Sequence, residues 1–154
     1  MLPQRKSPVH TPPSRGWSGP VIVYLTVCTK DRKPLLAREA AHLLLRDAWA
    51  AADGWLVGRY VIMPDHLHLF CAPGSHEHPD LGKWVQFRKT VVSSRWMAPQ
   101  EQPIWQHSFW DSQLRSSESY EDKWEYVRNN PVRKGFCTDP EQWNHQGTMN
   151  VLPW

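Results

Sequence analysis

The spacing of apolar and polar residues changes along the chain, and each pattern predicts a type of element. Runs of β-branched and aromatic residues predict strands, whereas amphipathic or alanine- and leucine-rich runs predict helices. Gly54 is expected to end the first helix, and Pro131 to end the last one. The predicted elements are a strand over 21–29, a helix over 37–54, strands over 55–63 and 66–72, a helix over 81–97, an extended aromatic segment over 103–114 and a helix over 117–130, followed by an irregular segment from Gly135 onward.

This order of elements predicts the fold class. Strand, helix, strand, strand, helix, strand is a split β-α-β arrangement. It forms an antiparallel sheet with helices on one face, which is the ferredoxin-like plan of the α+β class (β-α-β-β-α-β). The last helix is an addition at the C-terminal side. We expect three parts: a flexible basic arm over 1–19, one domain over 20–147 and a C-terminal tail over 148–154.

Composition limits the class of protein. The 154 residues suit one domain with one core. No run is apolar enough to span a membrane, and no secretory signal is recognised, so we expect a soluble, cytoplasmic protein with no membrane partner. The net charge of +3 permits a nucleic-acid partner without requiring one. The three cysteines form no CxxC pair, so neither a disulfide framework nor a cysteine zinc site is indicated.

The stretch "MPDHLHLF" places two histidines on a predicted strand. Side chains alternate between the faces of a strand, so His66 and His68 point to one side and Leu67 to the other. Two imidazoles on one face can share a metal ion, although a structural role for the pair is about as plausible. His76 and His78 form a second pair, but they lie in a predicted loop that does not fix their geometry.

The helix "SESYEDKWEYVRNN" has one apolar stripe and one polar flank. The stripe consists of Tyr120, Trp124 and Val127. Tyr126 lies off this stripe, one turn before Asn130, and Lys123 lies on the same flank. Taken alone, these residues are explained by a half-buried tyrosine and an asparagine that caps the helix before Pro131. Taken with the strand pair, they suggest a metal site with a tyrosine nucleophile beside it.

The proposed ligands are neutral groups. His66, His68 and Asn130 would bind a hard divalent ion such as Mg²⁺ or Mn²⁺. Tyr126 would act beside that ion, because a phenol needs help to lose its proton at neutral pH. Lys123 is the candidate to assist it.

Three segments carry a resemblance to a known family. In this order and spacing, "YVIMPDHLHLF", "IWQHSFWDSQLR" and "WEYVRNNPVRKGF" resemble the REP-associated tyrosine transposases, which are relatives of the single-tyrosine HUH transposases of bacterial insertion sequences. The resemblance covers about Val21 to Trp143. It implies an HUH-type nuclease domain in which His66 and His68 bind the metal and Tyr126 is the nucleophile. Asn130 matches the third ligand, where more distant relatives carry Gln.

The resemblance also implies an activity and partners. The chain would be a metal-dependent single-stranded DNA endonuclease and strand transferase that acts through a 5′-phosphotyrosine intermediate. Its DNA would be single-stranded or a hairpin formed by repetitive DNA, and the protein would be a monomer or a homodimer. Basic side chains would contact the DNA backbone, and the candidates are Lys123, Arg88, Lys89, Arg95, Arg128, Arg133 and Lys134, with Arg5, Lys6 and Arg15 of the arm.

Two alternatives remain open at this point. One is a non-catalytic ferredoxin-like module that binds single-stranded nucleic acid through exposed aromatic residues. The other is a hydrolytic zinc phosphoesterase that uses His66 and His68 with a third histidine such as His107. The first predicts binding without metal and no covalent adduct. The second predicts zinc dependence and full activity without the Tyr126 hydroxyl.

Overall fold

A computed structural model describes residues 21–51, 54–74 and 78–153. The predicted arm and His76 lie outside these ranges. The strands are β1 Ile22–Thr29, β2 Trp55–Ile62, β3 His66–Pro73, β4 Trp105–Leu114 and β5 Gln146–Thr148, and the α-helices are α1 Glu39–Ala50, α2 Leu81–Ser94, α3 Ser117–Arg128 and α4 Asn130–Arg133. Short 3₁₀ turns occupy Lys30–Arg32, Pro99–Glu101 and Pro140–Gln142. Within the described ranges, no helix combines the length and the apolar character that a membrane crossing needs.

The strands form one antiparallel sheet in the order β4-β1-β3-β2-β5. The first four strands have the predicted ferredoxin-like arrangement, and β3 lies at the centre. The fifth strand was not predicted. It is only three residues long and contains Gly147, so its sequence lacks the β-branched run that indicates a strand.

The sheet separates two apolar layers, because successive side chains of each strand point to opposite faces. Leu67 and Leu69 of β3 pack in the larger core with Val85 and Val92 of α2, and α1 lies on this face too. On the other face, α3 packs against the sheet around Phe70. The buried residues of this second core are Ile22, Val61, Met63, Phe70, Ala72, Tyr120, Val127 and Leu152. Helices therefore cover both faces, and His66 and His68 share the face of α3.

The structure corrects two predicted helix ends. Helix α1 ends at Ala50 with Ala51 as its C-cap, before Gly54 is reached. Pro131 does not end the helical path, because it occupies the first turn of α4, where its missing N–H costs no hydrogen bond. In the predicted C-terminal tail over 148–154, Leu152 is buried against the α3 face.

Candidate active site

The two histidines of β3 and the asparagine of α4 meet above the centre of the sheet. His66 and His68 are each 5% exposed, and their rings lie edge to face with centroids 4.8 Å apart. The side-chain amide of Asn130 lies 3.4 Å from the Nε2 atom of each ring. Asn130 thus converges with two histidines that precede it by more than sixty positions in sequence.

The opposite nitrogen of each imidazole is held by a different partner. His66 Nδ1 lies 2.7 Å from a carboxylate oxygen of Asp65. His68 Nδ1 lies 2.8 Å from the Tyr24 hydroxyl and 2.9 Å from that of Thr26. When each Nδ1–H donates to its oxygen partner, both Nε2 atoms are left with a lone pair directed at the Asn130 amide.

Register explains why these partners are available. Strand β1 pairs with β3 so that Thr26 lies directly across from His68, with Tyr24 two residues along on the same face. Asp65 precedes His66 in the turn between β2 and β3, and this turn is fixed because Thr29 N–H donates to the Asp65 carbonyl at 3.0 Å.

Burial favours the neutral form of both imidazoles. It lowers the pKa of His68 well below the usual value, and the charges of His66 and Lys123 lower it further. Burial also lowers the pKa of His66, although the Asp65 carboxylate partly opposes that shift. The carboxylate itself remains ionised: burial raises its pKa, but hydrogen bonds from Arg32 and His66 outweigh this effect and leave the pKa of Asp65 below normal. Neutral imidazole is the form that ligates metals.

Tyr126 lies at the exposed rim of the same face. It is 52% exposed, whereas Tyr120 and Val127 of the same helix are buried at 7% and 1%, as the stripe predicted. The Arg133 guanidinium lies 3.9 Å from the centroid of the Tyr126 ring. The Lys123 ammonium lies 6.0 Å from the same centroid and 5.1 Å from that of Tyr24.

The predicted basic residues fall into separate groups. Lys123, Arg133 and Lys134 are on the α3–α4 side, and each of them acts electrostatically on a histidine of the pair. Arg128 is on this side too, but it binds Glu125 and Glu141 at 3.2 and 2.7 Å.

The basic residues of α2 lie across the sheet from the histidine pair. The Arg88 guanidinium donates to the Ala48 carbonyl of α1 at 3.0 Å, and Arg95 is the exposed C-cap of α2. Lys89 is 6% exposed, and its ammonium donates to the carbonyls of Gln106 and His107. This burial leaves little of Lys89 accessible to DNA.

The histidines outside the pair lie elsewhere. His107 lines an open cleft of about 360 Å³ between β4 and α2, on the opposite side of the sheet, so it cannot complete a site with His66 and His68. His78 stacks edge to face on Trp55 in the larger core. Neither residue supports the zinc alternative.

Sequence reasoning missed four residues of this site: Asp65, Tyr24, Thr26 and Arg32. Asp65 could have been found, because it directly precedes the histidine pair. Tyr24 and Thr26 alternate on a predicted strand, but only the pairing register shows that they face His68. Arg32 binds Asp65 at 2.9 Å from a turn whose backbone has a positive φ of 56°, and no sequence pattern indicates that conformation.

The donor set fits a divalent cation. Among the residues that the structure describes, no group of three or more His, Cys, Asp or Glu side chains is arranged to hold a metal. The third group that faces the histidine pair is instead the amide of Asn130, whose nitrogen and oxygen have nearly the same shape and can exchange places by rotation. Metal-ligating histidines typically donate their other ring N–H, here Nδ1–H, to an oxygen acceptor.

Comparisons with known proteins show what the whole chain is similar to. No family model matches the chain. A REP-associated tyrosine transposase of Escherichia coli K12 is 22% identical over 87 residues, which are 56% of this chain. The match covers 50% of that relative, so the chain spans about half the length of the curated protein it resembles.

Two solved structures share the fold. One is a REP-associated tyrosine transposase bound to a REP hairpin, with a TM-score of 0.69 and 20% identity over 89% of this chain and 82% of that one. The other is a Deinococcus radiodurans protein proposed to be a transposase, with a TM-score of 0.51 and 24% identity over 77% of this chain and 97% of that one. The curated match agrees with the resemblance seen in the motifs, so the chain is similar to a REP-associated tyrosine transposase, and the solved structures show that the fold is shared.

Proposed function

We propose that this protein is a metal-dependent single-stranded DNA endonuclease and strand transferase that acts through a 5′-phosphotyrosine intermediate on hairpin-forming repetitive DNA. The observation that carries the proposal is the convergence of His66 Nε2, His68 Nε2 and the Asn130 amide, at 3.4 Å, beside an exposed Tyr126. Its relatives are transposases, and one related structure is bound to a REP hairpin.

The two Nε2 atoms and the Asn130 side-chain oxygen would hold Mg²⁺ or Mn²⁺. When bound, the ion supplies positive charge to the scissile phosphate and makes its phosphorus more electrophilic. Asp65 orients the His66 ring, and the hydroxyls of Tyr24 and Thr26 orient the His68 ring. These contacts fix which ring nitrogen carries the proton before any ligand arrives.

Tyr126 carries out the covalent step. Its phenolate oxygen forms a bond to phosphorus while the bond from phosphorus to the 3′ oxygen breaks, and that oxygen takes a proton. The products are a DNA 5′ end linked to Tyr126 and a free 3′-hydroxyl. A second 3′-hydroxyl can reverse the reaction and join new ends without a nucleotide cofactor. The cations of Arg133 and Lys123 lie 3.9 and 6.0 Å from the Tyr126 ring centroid, beside the proposed nucleophile.

The DNA strand would lie along the α3–α4 side. Lys123, Arg133 and Lys134 supply positive charge there, close enough to the histidine pair to lower its pKa values. Backbone contacts of this kind make binding sensitive to salt and supply much of the affinity. The hairpin specificity is proposed by analogy with the related structure.

The test is a covalent trap on a denaturing gel, with labelled single-stranded hairpin DNA and Mg²⁺ or Mn²⁺. Wild type should form a covalent adduct, and peptide mapping should find it on Tyr126. Tyr126→Phe should bind DNA normally and form no adduct. Tyr120→Phe is the matched control, because it removes a hydroxyl from the buried stripe of the same helix, and it should keep the adduct.

Three outcomes would count against the proposal. Linkage at a residue other than Tyr126 would overturn the site assignment. Metal-independent binding without any adduct would favour the non-catalytic nucleic-acid module. Full cleavage by Tyr126→Phe would favour hydrolysis by activated water.

A further inference from the structure

One exposed aromatic ring near the site is held in a fixed position. Helix α4 ends in a Schellman motif, in which Phe136 N–H donates to the Pro131 carbonyl at 2.9 Å and Gly135 N–H to the Val132 carbonyl at 3.0 Å. Gly135 has a φ of +78°, which a residue with a side chain adopts only with strain. The backbone of Phe136 is therefore anchored directly after the turn of helix that carries Asn130.

The ring of Phe136 is supported on one side and open on the other. It stacks on Trp143, with the ring centroids 5.5 Å apart and the planes 18° from parallel. Trp143 is fixed in turn, because its indole N–H donates to the Ile62 carbonyl at 3.0 Å and its ring packs on the core beneath α3. Phe136 nevertheless remains 50% exposed. Phe136 is therefore a half-exposed aromatic ring that is held in place by its stack on Trp143.

The surroundings of this surface carry positive charge. Lys134 and Arg133 precede Phe136 by two and three residues, and both are exposed. Lys134 acts on His66, and Arg133 lies over the Tyr126 ring, so the cations connect the aromatic surface to the candidate active site. A flat apolar ring beside cations is the combination that recognises a nucleobase and its phosphate.

We propose that Phe136, supported by Trp143, stacks on an unpaired base of the DNA strand next to the scissile phosphate. This inference rests on the proposed function and adds one substrate-contacting residue to it. The base would lie on the open face of Phe136 while its phosphate pairs with Lys134. Stacking does not depend on the identity of the base, so Phe136 would position the strand without reading its sequence.

The experiment measures binding without cleavage. Single-stranded oligonucleotides with 2-aminopurine at successive positions are titrated in EDTA, and both anisotropy and 2-aminopurine fluorescence are recorded. Phe136→Ala should weaken binding about 5- to 100-fold, as expected for the loss of one base-stacking contact. It should also remove the fluorescence quenching at one position. Phe136→Trp should restore both signals.

Two controls separate stacking from other effects. Phe87→Ala removes an equally exposed ring, 58% accessible and next to Arg88, from the opposite side of the sheet, and it should change neither signal. Lys134→Ala should reduce the slope of log affinity against log salt by about one. Phe136→Ala should leave that slope unchanged, because stacking releases no counterions.

Several results would overturn the inference. Wild-type affinity and quenching in Phe136→Ala would do so, and so would an equal loss in Phe87→Ala. A dimer that Phe136→Ala dissociates, seen by light scattering, would identify the ring as a contact between copies instead. If wild type forms the Tyr126 adduct but Phe136→Ala binds normally, only this inference fails. If wild type binds no single-stranded DNA at all, the proposed function fails as well.

Discussion

The two hydroxyls beside His68 provide a sharp test of how the candidate metal site is built. Tyr24 and Thr26 lie 2.8 and 2.9 Å from the same Nδ1 atom, in a place where His68 is 5% exposed and reaches little water. A single N–H can donate fully to only one of them at a time. Each hydroxyl can therefore replace the other when one is removed.

This redundancy predicts a non-additive result. Tyr24→Phe and Thr26→Val should each lower the free energy of unfolding by no more than about 1 kcal/mol, because Nδ1 keeps a partner. The double variant leaves a buried donor with none, which costs about 1–3 kcal/mol. We therefore expect a coupling energy of about 1–2 kcal/mol, measured by urea unfolding of all four proteins without metal.

Metal binding should show the same non-additive effect of the two substitutions. Removing a hydrogen bond that orients a ligating histidine typically costs 10- to 100-fold in metal affinity. The double variant should show such a loss for Mn²⁺ by calorimetry, and each single variant much less. Additive stability changes together with unchanged Mn²⁺ affinity in the double variant would refute the argument that these hydroxyls orient His68.

The strongest local patterns in the sequence predicted both the elements and the placement of the site. Alternation in β3 put His66 and His68 on one face and Leu67 on the other, and the structure confirms that separation. Helical spacing likewise separated Tyr120 from Tyr126. These predictions succeed because each depends only on the geometry within a single element.

Lys89 shows where residue type and helical position lead to different expectations. It was expected to contact DNA because it is basic, yet it lies four residues after Val85 and three before Val92, on the stripe that faces the core. The Lys89 side chain extends far enough for its ammonium to donate hydrogen bonds to backbone carbonyls. Burial lowers the pKa of Lys89 to about 8. The position of Lys89 on the helix therefore determines its burial, although its residue type suggests exposure.

The remaining features depend on contacts between elements. Tyr24 and Thr26 contact His68 only because of the pairing register between β1 and β3. This register cannot be predicted from the local pattern of either strand. Strand β5 is three residues long and forms only because the chain returns along the exposed edge of β2. Local patterns therefore located the candidate ligands, but they could not locate the residues that hydrogen-bond to them.

Two further predictions concern charged groups away from the histidine pair. Lys89→Met should leave affinity for single-stranded DNA within about twofold of wild type by anisotropy, because the buried ammonium contacts carbonyls rather than solvent; a tenfold loss would show that it reaches DNA. The second prediction is that His42 makes stability fall with acid. Burial lowers the pKa of His42, and the neighbouring His145 and Arg46 lower it further, while its Nε2 lies 2.6 Å from the Tyr60 hydroxyl. As the pH falls below about 6.5, the unfolded chain takes up this proton before the folded one does. The contribution of His42 is therefore complete above that pH and is lost below it, at up to about 1.4 kcal/mol per pH unit. Urea unfolding between pH 7.5 and 5 should show a shallower loss of stability in His42→Gln than in wild type, because the variant lacks this titrating group. Identical slopes would show that His42 protonates as readily in the folded protein as in the unfolded chain.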